Sequence, residues 1–267
     1  MWIELCFDTD KDFCAQTYTI LYDNFQIIIE KGDLRHAHNL HVHSQSAEKR
    51  YKRAYAAVLN FLSELSWLFQ SKIEIFKLNL VVHSSAKTKG WIELTKYNRE
   101  LNTIDLSCYT QIAYNTDQKF ALGFYREGIS SNSHFYSFLN FYKIITISNS
   151  KRKSIDWINE NKGSIKNSRN VLFDLENNKK ESDIGLYLYS SGRCAVSHAK
   201  DDPKKPIVDP NDYEHNARIL YELPLIKELA EISMKKQLKI LTKKQMFQEY
   251  STRIKERIRG VNGCRTK

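Results

Sequence analysis

The chain has 267 residues, 42% hydrophobic and 12% aromatic, which is enough for one large domain or two of ordinary size with real cores. Apolar runs such as Ile27-Ile28-Ile29 fall far short of the roughly 20 residues that span a bilayer, and Glu4, Asp8 and Asp10 stand where a leader would be basic and then apolar. The net charge is +10, and nine of those charges lie from Lys235 to Lys267, where eleven Lys or Arg face only Glu249 and Glu256.

The five cysteines, Cys6, Cys14, Cys108, Cys194 and Cys264, are scattered and form no C-x-x-C pair. Neither a disulfide framework nor a cysteine zinc site is expected, and a reducing, cytoplasmic compartment without membrane contact fits this usage. No cofactor is called for. The concentrated basicity is the usual electrostatic footprint for nucleic acid, although a solvated helix face would read the same way.

In chain order, residues 1–112 read as an α+β domain. Trp2 to Phe7 and Thr17 to Glu30 are rich in β-branched and aromatic residues, with a turn expected at Lys31-Gly32-Asp33. Residues 47–70 place Tyr51, Ala54, Tyr55, Val58, Leu59, Leu62, Leu65 and Phe69 at three-and-four spacing, predicting a long amphipathic helix capped by Ser44 or Ser46. Ile73 to Val82 begins with strand alternation, and shorter strands are expected at Trp91 to Leu94 and Thr103 to Leu106. A small antiparallel or mixed β-sheet packed on one long helix satisfies this pattern.

His36, His38, His41 and His43 form two H-x-H pairs that could start a zinc site. No carboxylate or cysteine partner lies near in sequence, so a polar loop or edge strand is expected and no metal is assigned.

Residues 113–240 read as helical. Asn115 or Thr116 can cap a helix with Phe120, Ala121, Phe124 and Tyr125 on its apolar side, and Ser131-Asn132-Ser133 ends it. Phe135, Phe138, Leu139, Tyr142, Ile145 and Thr146 form an aromatic stripe whose spacing marks a core helix. Ser148 to Asp183, rich in Asn, Lys and Ser, reads as a polar insertion with short helices near 154–160 and 167–176.

A helix capped by Ser182 should then carry Leu186, Tyr189 and Val196 inward and end at Asp201-Asp202-Pro203. Asp209-Pro210 marks the next helix start, and Pro224 should kink or divide that helix. Thr242-Lys243-Lys244-Gln245 is a capping box that opens a basic amphipathic tail, residues 241–267.

The chemistry sits in Arg193-Cys194-Ala195-Val196-Ser197-His198, an R-x4-H pattern. Arginine presents a planar fork suited to phosphate oxygens, and histidine titrates nearest neutrality. On an α-helix, positions five apart diverge by roughly 140°, so the pair makes better sense when a second copy faces it. In the last turn of a helix, His198 would lie among unpaired carbonyls that favour its protonated form.

This motif on a late helix of a helical bundle resembles the HEPN superfamily. The stretch from Phe124 to Ile145 followed by the motif is also similar to uncharacterised MauJ-like proteins. The resemblance covers roughly Asn115 to Lys239 and implies a HEPN-like α-helical bundle as the second domain. It further implies a metal-independent ribonuclease in which Arg193 holds the scissile phosphate and His198 acts as general acid or base. Two motifs in a homodimer would form one site, and a toxin or antiviral-defence role with an antitoxin or defence-complex partner is implied. Active members often carry a polar residue such as Asn directly after the arginine; here Cys194 stands there.

Cys194, Ser197 and Tyr189 are candidate site-lining residues. Lys235, Lys236, Lys239, Lys243, Lys244, Arg253 and Arg257 are candidate RNA contacts. The competing expectation is a catalytically silent HEPN-like module for dimerisation or for binding RNA or protein.

Overall fold

The computed structural model describes residues 2–32, 37–43, 48–81, 100–194, 196 and 208–263. The chain forms two compact units, Met1–Tyr114 with Leu241–Lys267, and Asn115–Ile240. The basic C-terminal segment, expected to stand apart, is therefore part of the first unit.

In the first unit, β1 (Trp2–Thr9), β3 (Thr17–Tyr22), β4 (Phe25–Glu30), β5 (His38–His43) and β6 (Ile73–Val81) form an antiparallel sheet in the order β3-β4-β5-β1-β6. Thr17 to Glu30 is two strands, because Asp23 and Asn24 take positive φ (47° and 64°) and pair Tyr22 with Phe25 in a tight hairpin whose turn matches strand twist. Ile3, Leu5, Leu40, Val42, Ile27 and Ile29 line one buried face, and α1 (Glu48–Phe69) packs there through Ala54, Val58, Phe61, Leu62 and Leu65. Short β2 (Lys11–Phe13) pairs in parallel with β7 (Glu100–Ile104). The expected caps at Ser44 and Ser46 and the expected strand from Trp91 to Leu94 lie outside the described residues.

The histidine-rich stretch is a correction. From His38 to His43 it is neither loop nor edge, since β5 lies between β4 and β1, while His36 lies outside the described residues. His38 is buried against Phe7 and Phe13, and its Nδ1 accepts the Gly32 N–H at 2.9 Å. His41 stands between Glu4 and Glu30, each 3.7 Å away. Cross-strand carboxylates, invisible to local spacing, make these histidines acceptable inside a sheet. Among the described residues, no group of three His, Cys, Asp or Glu is disposed to hold a metal.

The C-terminal α8 (Lys243–Gly263) begins at the expected capping box, with Thr242 N–H donating to Gln245 Oε1 at 2.9 Å. Met246 is fully buried, Trp67 Nε1 donates to the Leu241 carbonyl at 2.7 Å, and Lys243 Nζ lies 4.4 Å from the Phe69 ring centre. Burial of Met246 and the Trp67 bond fix this segment to α1.

The second unit is helical: α2 (Thr116–Ser130), α3 (His134–Thr146), α4 (Lys151–Asn161), α5 (Arg169–Phe173), α6 (Ile184–Tyr187) and α7 (Tyr213–Lys236). Asn115 caps α2 in a full capping box with Gln118, while Phe120 points outward and Ala121, Leu122 and Tyr125 form the inner side. The aromatic stripe of α3 is core, with Phe138, Phe141, Tyr142, Ile144 and Ile145 buried against α2 and α7.

Three further expectations are corrected here. The supposed polar insertion is part of the core, since Ile155, Ile158, Val171 and Leu175 are buried and the Gly185 backbone rests directly on that of Ile155. Its polar residues cover the outer sides of α4 and α5. Asp209-Pro210 is a turn, and Asp212 is the cap of α7, accepting the His215 N–H at 2.8 Å. Helix α7 runs unbroken through Pro224, which is exposed. Burial of Ile219, Leu225, Ile226 and Leu229 on either side offsets the backbone bond that proline removes. Among the described residues, no helix is long and apolar enough to cross a membrane.

Candidate nucleic-acid interface

Asp183 opens the motif segment. Its carboxylate accepts the Asn159 side-chain amide and the Leu186 N–H, each at 2.8 Å, and these bonds hold its pKa below the usual range. Asp183, and not Ser182, is thus the cap, because only its side chain reaches the first turn while Asn159 braces it.

After α6 the winding widens into a π-helix, Leu188–Cys194. Two local features accompany this. The Ser190 hydroxyl donates to the Leu186 carbonyl at 2.7 Å, the acceptor that its own backbone N–H would use in an α-helix. Gly192 lies flat on the Phe138 ring, where any Cβ would overlap. The buried side is consequently Ile184, Gly185, Leu188 and Gly192, whereas Leu186, expected inside, is 49% exposed.

Arg193 ends this π-helix with Cys194, which is half-buried. Its guanidinium carbon lies 5.9 Å from the Tyr189 ring centre, and Nη1 lies 3.9 Å from Cys194 Sγ. Lys151 Nζ, from the start of α4, lies 4.3 Å from the same Tyr189 ring centre. Two cations thus flank one aromatic ring. The ring of Tyr142 packs beneath it at 6.2 Å. Tyr142 is 1% exposed, and its hydroxyl has no hydrogen-bond partner among the described residues. Burial pushes its phenol up, Tyr189 and Cys194 add to this, and the Arg193 charge opposes it. His198 and Ser197 lie outside the described residues.

The π-helix is braced from behind by an ionic cluster around the buried Glu222. Glu222 of α7 has no exposed side chain; it accepts the Tyr187 hydroxyl at 2.5 Å and lies 3.4 Å from Arg218 and 3.5 Å from Lys179. Arg218 also donates to the Ser191 carbonyl at 2.8 Å, tying α7 to the segment that presents Arg193. Burial and the Glu222 charge both raise the Tyr187 phenol.

The expected RNA-contacting residues divide between the two units: Lys235, Lys236 and Lys239 in the second, Lys243, Lys244, Arg253 and Arg257 in the first. Several have structural partners. Lys236 bonds Asn161 (3.0 Å) and Ser164 (2.8 Å), Lys235 approaches Glu231 (3.9 Å), and Arg253 approaches Glu249 (3.5 Å). Lys243 and Lys244 line a groove on α8 together with Phe247 and Lys255. The side chain of Arg257 is outside the described residues.

Lys151-Arg152-Lys153 was hidden in the supposed insertion. The triplet itself is the signal that could have revealed it: three cations and no acid occupy the first turn of α4, against the helix dipole, and Ser150 makes no side-chain capping bond.

One strongly perturbed group lies elsewhere. Glu64, buried in the first unit, is pushed up to about 7 by burial, against hydrogen bonds from Tyr109 (2.7 Å), Ile112 N (2.9 Å), Tyr22 (2.9 Å) and Ala113 N (3.0 Å). Every oxygen is saturated, which makes Glu64 an anchor for residues 109–113.

The second unit is helical with an aromatic core, and a π-helix carries Arg193. Within that unit the chain is similar to one family: residues 121–235, which include Arg193 and His198, match the family model described as methylamine utilization protein MauJ. No curated protein matches the chain, and no solved structure does.

Proposed function

We propose that the protein is a metal-independent, HEPN-type endoribonuclease acting in the cytoplasm as a toxin or antiviral-defence effector. The observation that carries this reading is Arg193, five residues before His198 and 5.9 Å from the centre of the Tyr189 ring, which Lys151 also approaches at 4.3 Å. Arg193 binds the scissile phosphate and stabilises its growing charge. An RNA 2′-hydroxyl attacks the adjacent phosphorus, and the bond to the 5′ oxygen breaks. His198 moves the proton, leaving a 2′,3′-cyclic phosphate and a 5′-hydroxyl.

A homodimer is part of the proposal. Tyr213 (79% exposed), Leu220, Tyr221 and Pro224 form an apolar stripe along the exposed side of α7, suited to a second copy. The same stripe favours the second reading, a silent module that only dimerises or docks a partner such as an antitoxin.

Incubating the purified full chain with RNA and a chelator separates the two. Cleavage by wild type that is lost in both Arg193→Ala and His198→Ala supports the nuclease. Cleavage persisting in both variants, or none from wild type, leaves the binding module.

A further inference from the structure

The five-stranded sheet of the first unit ends on β3. The Lys31 N–H donates to the Gln16 carbonyl at 2.8 Å, so Gln16 and Lys31 are a hydrogen-bonded pair continuing the β3–β4 ladder. Such pairs alternate in an antiparallel ladder, which makes Tyr18, Ile20 and Tyr22 the residues that bond β4. The N–H and C=O groups of Thr17, Thr19 and Leu21 therefore point away from the sheet. Among the described residues these groups have no hydrogen-bond partner.

Edge strands that stay single are commonly blunted by a charge, a proline or a bulge. The opposite edge, β6, carries Glu74 and Lys77 and has a register break against β1 between Cys6 and Phe7. Strand β3 reads Thr17-Tyr18-Thr19-Ile20-Leu21-Tyr22, without charge, proline or glycine, and its register against β4 is unbroken. Thr17 and Thr19 are exposed and Leu21 is 73% exposed.

This edge is self-complementary. An antiparallel copy related by a two-fold axis at Thr19 sets Thr19 opposite Thr19 and Thr17 opposite Leu21, so that each outward N–H meets an outward C=O. In the same register Tyr18 stands against Ile20 on the side of the sheet that faces α1, an aromatic and β-branched pair of the kind that stabilises sheets. Neither strand brings a charge to the contact, so nothing in it repels a second copy.

We propose that β3 pairs with β3 of a second copy in this register, joining two five-stranded sheets into one continuous sheet. The pairing does not depend on the ribonuclease reading. It is also separate from the stripe on α7, which lies in the other unit.

Six edge residues make a small contact beside the roughly 1,200–2,000 Å² of a standard interface, so the full chain is followed by sedimentation at about 100 µM and by covalent capture. Thr19→Lys puts like charges opposite each other at the axis and should weaken association about tenfold, while its melting temperature in dilute solution stays that of wild type. Thr19→Cys places two thiols across a hydrogen-bonded pair with Cα atoms about 5.5 Å apart, a distance that a disulfide spans. Leu21→Cys keeps the same native cysteines and is also exposed, but its counterpart lies four residues further along the partner strand, roughly 13 Å away and out of reach. Mild oxidation should link Thr19→Cys into a disulfide dimer and leave Leu21→Cys at the wild-type level.

Capture of both cysteines alike overturns the pairing. So does association that Thr19→Lys leaves unchanged, the result expected of a dimer held by the α7 stripe alone. A monomeric wild type together with an unlinked Thr19→Cys overturns it as well.

Discussion

Glu64 gives a pH dependence that can be worked through from its surroundings. Its two oxygens accept two phenols and two backbone N–H groups, yet burial raises its pKa from 4.5 to about 7. A carboxyl raised on folding binds its proton more tightly in the native state, so its contribution to stability is complete below the unfolded value and is lost as pH climbs through the native one. The difference of about 2.5 units corresponds to about 3 kcal/mol between roughly pH 4.5 and pH 8. In Glu64→Gln the group cannot ionise, and its amide faces one of the backbone N–H donors, which costs about 1–3 kcal/mol near pH 5. The assay is urea unfolding at several pH values, read by hydrogen exchange of α1 peptides pulsed at one fixed pH. Wild type should lose stability relative to Glu64→Gln as pH rises. A difference between the two that stays flat or grows with pH refutes the reasoning.

Other consequences follow from close packing and buried charge. Gly192→Ala would push a methyl into the Phe138 ring and should cost about 1–3 kcal/mol, while Gly185→Ala meets the Ile155 backbone, which cannot swing aside, and should cost more; thermal melts rank them. Glu222→Ala removes the buried acceptor of the Tyr187 hydroxyl and the partner of the partly exposed Arg218 and Lys179, and should destabilise the second unit by about 2 kcal/mol, whereas Glu222→Gln should lose less; equal losses would show that the charge is unimportant. Burial raises the Glu228 carboxyl, but the N–H groups of Lys166, Asn167 and Ser168 and the Ser168 hydroxyl outweigh it and lower its pKa. Its stabilisation is therefore present above the unfolded carboxylate range and fades as pH falls, and Glu228→Ala should cost about 2 kcal/mol at neutral pH and less in acid, read by urea unfolding.

Local chemistry made much of the architecture legible. The spacing from Tyr51 to Phe69 defined α1, a cap at Asn115 or Thr116 and the capping box at Thr242 placed the starts of α2 and α8, and Arg193 stood out through its spacing to His198. Each depends on residues within a turn or two of one another, where short-range sterics and hydrogen bonds dominate.

Only the tertiary structure decided the rest. The histidines of β5 look like a polar loop or edge until Glu4 and Glu30 flank His41 across the sheet, and Pro224 looks like a break until the burial around it carries α7 through. The π winding before Arg193 depends on the Phe138 ring against Gly192 and on Arg218 reaching Ser191, partners from α3 and α7. Lys151 and Arg193 are far apart in the chain, and packing of α4, α3 and the π-helix around Tyr142 and Tyr189 brings both cations to one ring. Burial and charge pairing act through space, so a pattern read along the chain registers each residue without the neighbours that fix its role.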